Sequence, residues 1–370
     1  MEKKSIFETH CQDYPVFAGN ELRDRMSHFF SPFYEKGGVF LLSDHNSEKY
    51  CLPVLFQLLP DLKIISSYSL QPGEQSKDIS ALEDIWHWMM GSEVARDSLL
   101  VNLGGGVVSD LGGFAASAYK RGISYANIPT TLIGQADAAI GGKTGINFQK
   151  VKNQLGAFHF PAAVFILPLF LDTLPERHVK SGLAELFKTS LLSGPQSWSI
   201  AKDMEWNDKE ILTELIFEAV EYKSQIVNQD PFDQGIRKAL NFGHTIGHAL
   251  ESFYNDAASS VMFHGEAVAA GIICESFLSY HYNGLTKKML DEISQTLTHF
   301  FKFVSIEESH FYDLLKIMEY DKKKTSEKIN FSLLESIGKP RINVEVSEIE
   351  ITLSFNFFNQ VIKDDQYHKK

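Results

Sequence analysis

The chain has 370 residues, of which 44% are hydrophobic and 22% charged, and a formal net charge of −12 at pH 7. That length exceeds what one hydrophobic core usually organises and predicts two domains. The negative charge excludes a general nucleic-acid-binding surface, which would be basic, and no run of about 18 apolar residues is present to span a membrane.

The opening MEKKSIFETH lacks the apolar segment of a secretory signal, so none is expected. Cys11, Cys51 and Cys274 are far apart and form no CxxC pair. A disulfide framework is therefore not expected, and a reducing cytoplasm fits best. GGVFLLSD (37–44) and LKIISSY (62–68) read as strands. Ser76–Met90 has helical spacing with Ser76 as its cap. DSLLVNLGGG (97–106) is an apolar strand running into three glycines, and DLGGFAASAYKRG (110–122) a helix. ISYANIPTT (123–131) and AAVFILP (162–168) are further strands. This alternation predicts a parallel α/β sheet. Beyond Pro168 helical periodicity takes over at 174–192, 209–227, 264–280, 285–300 and 308–320, with strands expected at 328–334 and 342–354. The chain thus divides into an α/β domain (1–170) and a mainly helical domain (171–370).

LGGGVVSD (103–110) sits where a strand hands over to a helix, a place where backbone N–H groups can approach a phosphate. It is not the dinucleotide GxGxxG, because Ser109 stands where the last glycine belongs. GGKT (141–144) is not a P-loop, because Asp137 replaces the first glycine. Either cluster could equally serve tight turns. In LNFGHTIGHALE (240–251), His244 and His248 are four apart, and helical spacing puts Asn241, and Arg237 one turn earlier, on the same face. The HExxH form is absent, since Thr245 occupies the glutamate position. Glu185, in an apolar helical run, and His264, at a helix start, could complete a metal site, which needs three protein ligands. Packed or solvated histidines remain an equal alternative on spacing alone. Lys143, Lys152, Lys188, Lys223 and Arg237 lie among apolar or glycine-rich residues and would suit a phosphate or carboxylate if they converge.

Taken in order, PGEQSK (72–77), GGGVVSDLGGFAASAYKRG (104–122), PTTLIGQADAAIGGKTGIN (129–147), KNQLGAFHFP (152–161), TLPERHVKSGLAELFK (173–188), RKALNFGHTIGHALE (237–251), FHGEAVAAG (263–271) and the DKK segment (321–323) resemble the 3-dehydroquinate synthase family of sugar-phosphate cyclases. The resemblance implies a Rossmann-like α/β domain binding NAD and a helical domain binding a divalent metal, usually zinc, with cobalt also possible. The implied reaction converts 3-deoxy-D-arabino-heptulosonate 7-phosphate to 3-dehydroquinate and phosphate in the shikimate pathway. It proceeds by transient oxidation, phosphate elimination, re-reduction and intramolecular aldol closure. Alternatives are another sugar-phosphate cyclase or a metal-dependent polyol dehydrogenase of the glycerol type.

By resemblance, Glu185, His244 and His264 are the metal ligands, and His248 stands beside them as a proton relay. Lys143, Lys152, Lys188 and Asn241 belong to the catalytic set. Arg121, Asn153, Lys223, Arg237 and one of Lys322 and Lys323 contact the substrate, Arg121 from the neighbouring subunit of a homodimer. NAD contacts are implied for Asp44, Glu74, Lys77, Gly105, Gly106, Asp110, Thr130, Thr131, Asp137, Lys143, Lys152, Phe170 and Thr173. The implied partner is a small phosphorylated sugar acid, with no nucleic acid and no membrane.

Overall fold

The computed structural model describes residues 6–149, 151–256, 262–320 and 328–368. Two units emerge, one of residues 1–179 and 219–232, the other of residues 180–218 and 233–370. This division differs from a single cut near residue 170, because segment 219–232 returns to the first unit.

The first unit opens with an antiparallel hairpin, β1 (Ile6–Cys11) and β2 (Tyr14–Gly19). Helix α1 (Arg23–Tyr34) leads to β3 (Val39–Asp44), the short helices α2 (His45–Tyr50) and α3 (Leu52–Leu58), and β4 (Ser66–Leu70). Helix α4 (Ile79–Gly91), β5 (Leu99–Gly104), α5 (Gly106–Ala118) and β6 (Ser124–Pro129) follow. A second hairpin, β7 (Lys143–Phe148) and β8 (Val151–Phe158), precedes β9 (Ala163–Ile166). The main sheet runs β1-β2-β9-β6-β5-β3-β4 and is parallel from β2 onwards. Its inner strands read as continuous apolar runs because both faces are covered. Val39, Leu41, Leu99, Val101, Leu103 and Ile128 point into one layer, whereas Phe40, Leu42, Leu100 and Tyr125 point into the other.

Chain order reverses between β3 and β5: β4 lies outward of β3, whereas β6 and β9 extend the sheet the other way. Ligands of open α/β sheets bind outside the carboxyl ends of the strands at such a switch point. Asp44 ends β3 there, and the glycines end β5 there.

In the second unit, helices α6 (Glu176–Ser193), whose first turn belongs to the first unit, and α7 (Pro195–Lys202) precede α8 (Lys209–Gln229), which is divided between the units. Then come a 3₁₀ segment (Ile236–Asn241), α9 (His244–Asp256), α10 (His264–Tyr282), α11 (Lys287–Phe300) and α12 (Phe311–Tyr320). The antiparallel pair β10 (Lys328–Ser336) and β11 (Lys339–Ser347) and the long α13 (Glu348–His368) close the chain. Among the described residues no helix is long and apolar enough to cross a membrane.

Three expectations change. The helix expected from Ser76 starts at Ile79, with Asp78 as its cap: the Asp78 carboxylate accepts the Ala81 N–H at 2.9 Å. The helix expected at 110 starts at Gly106, directly after the strand. The strand expected over 342–354 stops at Ser347, where the Glu350 carboxylate accepts the Ser347 hydroxyl at 2.6 Å and α13 begins. Ile351, Phe355, Phe358 and Ile362 are buried at helical spacing along it.

Candidate functional site

In the first unit, Gly105 is the N-cap of α5 and Gly106 its first residue, so the first N–H groups of that helix face the end of the sheet. Thr130 and Thr131 follow β6, and the Thr131 hydroxyl accepts the Gly134 N–H at 3.1 Å. Asp44 is turned to local use, its carboxylate accepting the N–H groups of Asn46 and Ser47 at 2.8 and 2.9 Å as the cap of α2. Phe170 is buried and Thr173 exposed in the 3₁₀ segment Pro168–Thr173.

A polar chain ties several of the remaining candidates together. The buried Lys77 ammonium donates to the Asp110 carboxylate at 2.6 Å and to the Asn153 side chain. The Asn153 N–H donates to the Asn147 side-chain oxygen at 3.0 Å, and the Asn147 amide donates to Glu74 at 2.8 Å. Burial pushes the Asp110 carboxyl up, and Lys77 offsets only part of that. Lys223 donates to the Asp137 carboxylate at 2.7 Å and to its carbonyl at 2.6 Å. Lys143 begins β7 and is exposed, Lys152 lies half-buried in β8, and Arg121 is exposed with φ +66°.

In the second unit, three helices converge. The ligating atoms of Glu185 (α6), His244 (α9) and His264 (α10) all lie within 4.8 Å of one another. Glu185 Oε1 is 3.3 Å from His244 Nε2 and 3.1 Å from His264 Nε2. Tetrahedral ligands on bonds of about 2.0–2.1 Å stand about 3.3 Å apart, which the two Glu185–histidine separations match.

The far nitrogen of each ring is also engaged. His244 Nδ1 lies 3.1 Å from the Phe242 carbonyl, and His264 Nδ1 lies 3.0 Å from Glu251 Oε2. Donating from Nδ1 leaves Nε2 as the ligating atom, the arrangement metal-bound histidines adopt. Lys188 approaches Glu185 Oε2 at 2.6 Å, which leaves Oε1 to face the histidines. Burial raises the Glu185 carboxyl, but Lys188 and the two histidines outweigh it and hold the group well below the usual carboxylate range. Burial works against charge on His264, but its hydrogen bonds to Glu185 and Glu251 prevail and lift the imidazole to about 10.

Local chemistry explains the convergence. The Ser181 hydroxyl on α6 accepts the Gly265 N–H at 2.9 Å, fixing the start of α10 one turn from Glu185. Helices α9 and α10 cross where side chains are absent: a Cβ on Gly271 would fall 2.0 Å from the Gly243 carbonyl oxygen. His248 completes a triangle of imidazoles, its ring centroid 5.1 Å from that of His244 and 5.8 Å from that of His264.

Asn241 and Arg237 do not share the histidines' helix. They lie in the 3₁₀ segment, with Arg237 buried and Asn241 exposed, and Phe242 and Gly243 separate them from α9. Gly243 adopts φ +80°, a turn that ordinary side chains disfavour, so the expected continuous helical face is broken there. Lys322 and Lys323 lie outside the described residues. Glu251, three residues after His248 and seven after His244, was not among the sequence candidates, although its helical spacing signals a shared face.

This geometry coincides with two family matches. The 3-dehydroquinate synthase N-terminal model matches residues 67–181 and the C-terminal model residues 182–324. A 3-dehydroquinate synthase of Parabacteroides distasonis is 38% identical over 343 residues, covering 92% of this chain and 96% of that protein. The chain belongs to the 3-dehydroquinate synthase family. Among solved structures, 2-epi-5-epi-valiolone synthase from Streptomyces hygroscopicus subsp. jinggangensis, with NAD+ and Zn2+ bound, matches with a TM-score of 0.80 at 25% identity, covering 95% of this chain and 98% of its own. A 2-deoxy-scyllo-inosose synthase complexed with carbaglucose-6-phosphate, NAD+ and Co2+ matches in fold with a TM-score of 0.80 at 22% identity, covering 95% of this chain and 99% of its own.

Proposed function

We propose that the protein is a 3-dehydroquinate synthase that converts 3-deoxy-D-arabino-heptulosonate 7-phosphate to 3-dehydroquinate and phosphate. The observation that carries this reading is the Glu185, His244 and His264 trio, with each Nδ1 held by an acceptor of its own, in a chain 38% identical to a protein of that name. Bound NAD supplies a reversible hydride acceptor, and a divalent metal on the trio supplies the Lewis acidity that acidifies an alcohol and polarises the derived ketone.

In the first unit, Gly105, Gly106, Thr130, Thr131, Asp44, Phe170 and Thr173 hold the dinucleotide, and the Glu74, Lys77 and Asp110 network together with the Asp137–Lys223 pair fixes the surface it meets. Lys143, Lys152, Asn153 and Lys223 contact substrate. In the second unit, Arg237 offers its guanidinium to the phosphate, Asn241 and Lys188 orient the substrate, and His248 exchanges a proton with it. Arg121 completes the site of a second subunit in a homodimer. Three buried free cysteines support a cytoplasmic setting.

The test is phosphate release from the heptulosonate phosphate, with and without added NAD and chelator. Release that needs NAD, is suppressed by chelator and leaves no net NADH is expected. Steady NADH accumulation with glycerol and no phosphate release would instead identify a polyol dehydrogenase. Turnover of sedoheptulose 7-phosphate or glucose 6-phosphate alone would identify another cyclase.

A further inference from the structure

Helices α9 and α10 each carry a buried carboxylate that reaches the start of the other. Glu251 on α9 is 4% exposed and contacts Nδ1 of His264, the first residue of α10, at 3.0 Å. Glu275 on α10 is 0% exposed and accepts the N–H of Gly243 at 2.7 Å and of Ile246 at 3.1 Å, across the first turn of α9 that bears His244. A carboxylate has no reason to sit in the apolar run AVAAGIICESF unless strong donors meet it, since burying it unpaired is costly. The N–H groups of a helix start are such donors, and the local helix field favours the negative charge. Glycine crossings bring the helices close, and the two carboxylates tie the start of each helix to the body of the other.

We propose that Glu251 and Glu275 form a reciprocal brace that positions His264 and His244, so that the metal affinity of the site depends on two acids that never touch the ion. Glu251 fixes the rotation of the His264 ring and keeps its Nε2 lone pair on the ligand side. Glu275 fixes the backbone from which His244 projects. Neither contacts substrate, and both are positioning residues. The inference rests on the metal site proposed above.

Cobalt(II) titrated into the metal-free full-length chain tests it, with the visible ligand-field band and the dissociation constant as readouts. Wild type is expected to give one saturable band, which is lost in His264→Ala. Glu251→Gln and Glu275→Gln are each expected to weaken binding by roughly 10–100-fold and to shift the band, with Glu275→Asp recovering part of the affinity. Wild-type constants and spectra in both glutamine variants would overturn the brace while leaving the metal site intact. No band in wild type, or an unchanged band in His264→Ala, would remove the metal site itself and the brace with it. If Glu275→Gln does not fold by circular dichroism, Glu275→Asp and Glu251→Gln decide: shifted bands support the brace, and unchanged bands and constants overturn it.

Discussion

Replacing Gly271 by alanine should damage metal binding from a position that touches neither ligand nor ion. The added Cβ would stand 2.0 Å from the Gly243 carbonyl oxygen and 2.8 Å from the Gly247 nitrogen. An ordinary C···O approach is about 3.3 Å, so the helices must part by roughly 1.3 Å at this crossing. The obstacles are backbone atoms and cannot rotate away. Overpacking of this kind costs about 1–3 kcal/mol, which for a unit of this size lowers the thermal midpoint by roughly 2–4 °C per kcal/mol. A functional constellation tolerates only about 0.5 Å of displacement, and His244 follows Gly243 directly. Metal content after gel filtration should therefore fall along with the midpoint. Thermal scans in chelator separate the packing cost from the loss of metal. Gly91→Ala, where a Cβ meets nothing within 4 Å, is the control: it should leave metal content unchanged and should not lower the midpoint. A Gly271→Ala protein with the wild-type midpoint in chelator and stoichiometric metal would refute the reasoning.

Glu185→Ala and His244→Ala should each abolish zinc retention measured by atomic spectroscopy while NAD still binds by fluorescence titration; stoichiometric zinc in both would refute the ligand set. Arg237→Ala should raise the substrate KM well above any change in kcat, and an unchanged KM would argue against a phosphate contact. Burial raises the Glu292 carboxyl, but hydrogen bonds from Lys202 at 3.0 Å and Trp198 at 2.7 Å outweigh it and lower the group below its ordinary value. A depressed carboxyl contributes stability above its unfolded pKa and loses it as pH falls through the folded one. Glu292→Gln should therefore cost up to about 1 kcal/mol at neutral pH, and the difference from wild type should vanish in acid; a difference that grows on acidification would refute the assignment.

The elements most legible in the sequence were those whose burial is uniform. Strands β3, β5 and β6 are apolar on both faces, and helices α6, α8 and α10 are long enough to establish a period. The errors fell where local chemistry competes with pattern. The strand expected over 342–354 runs on into ITLS (351–354), where β-branched residues favour it, yet Ile351, Phe355, Phe358 and Ile362 carry the helical period that decides it. RKALNFGHT suggested one helix because only a glycine interrupts it, and the φ of Gly243 that breaks it depends on contacts with α10. The three metal-site residues could be suspected from type and spacing, but their convergence required tertiary structure. Glu275 was visible as an acid in an apolar run; its partners lie about thirty residues upstream in sequence and are backbone groups, which no side-chain pattern records.

The same locality governs charge. A chain of net −12 that handles an anionic substrate has to place its cations where their field is not dispersed by water. Lys188, Lys223 and Arg237 are 1%, 6% and 2% exposed. Lys188 stands 2.6 Å from Glu185 and Lys223 2.7 Å from Asp137. Such pairing offsets the cost of taking an ammonium out of water. It also means that an anion reaching Lys188 would compete with the Glu185 carboxylate. Were an ion held at Glu185 Oε1, Lys188 at Oε2 would orient the carboxylate that meets it. Counting basic residues therefore overstates the positive charge open to an anion, because carboxylates stand against Lys188 and Lys223.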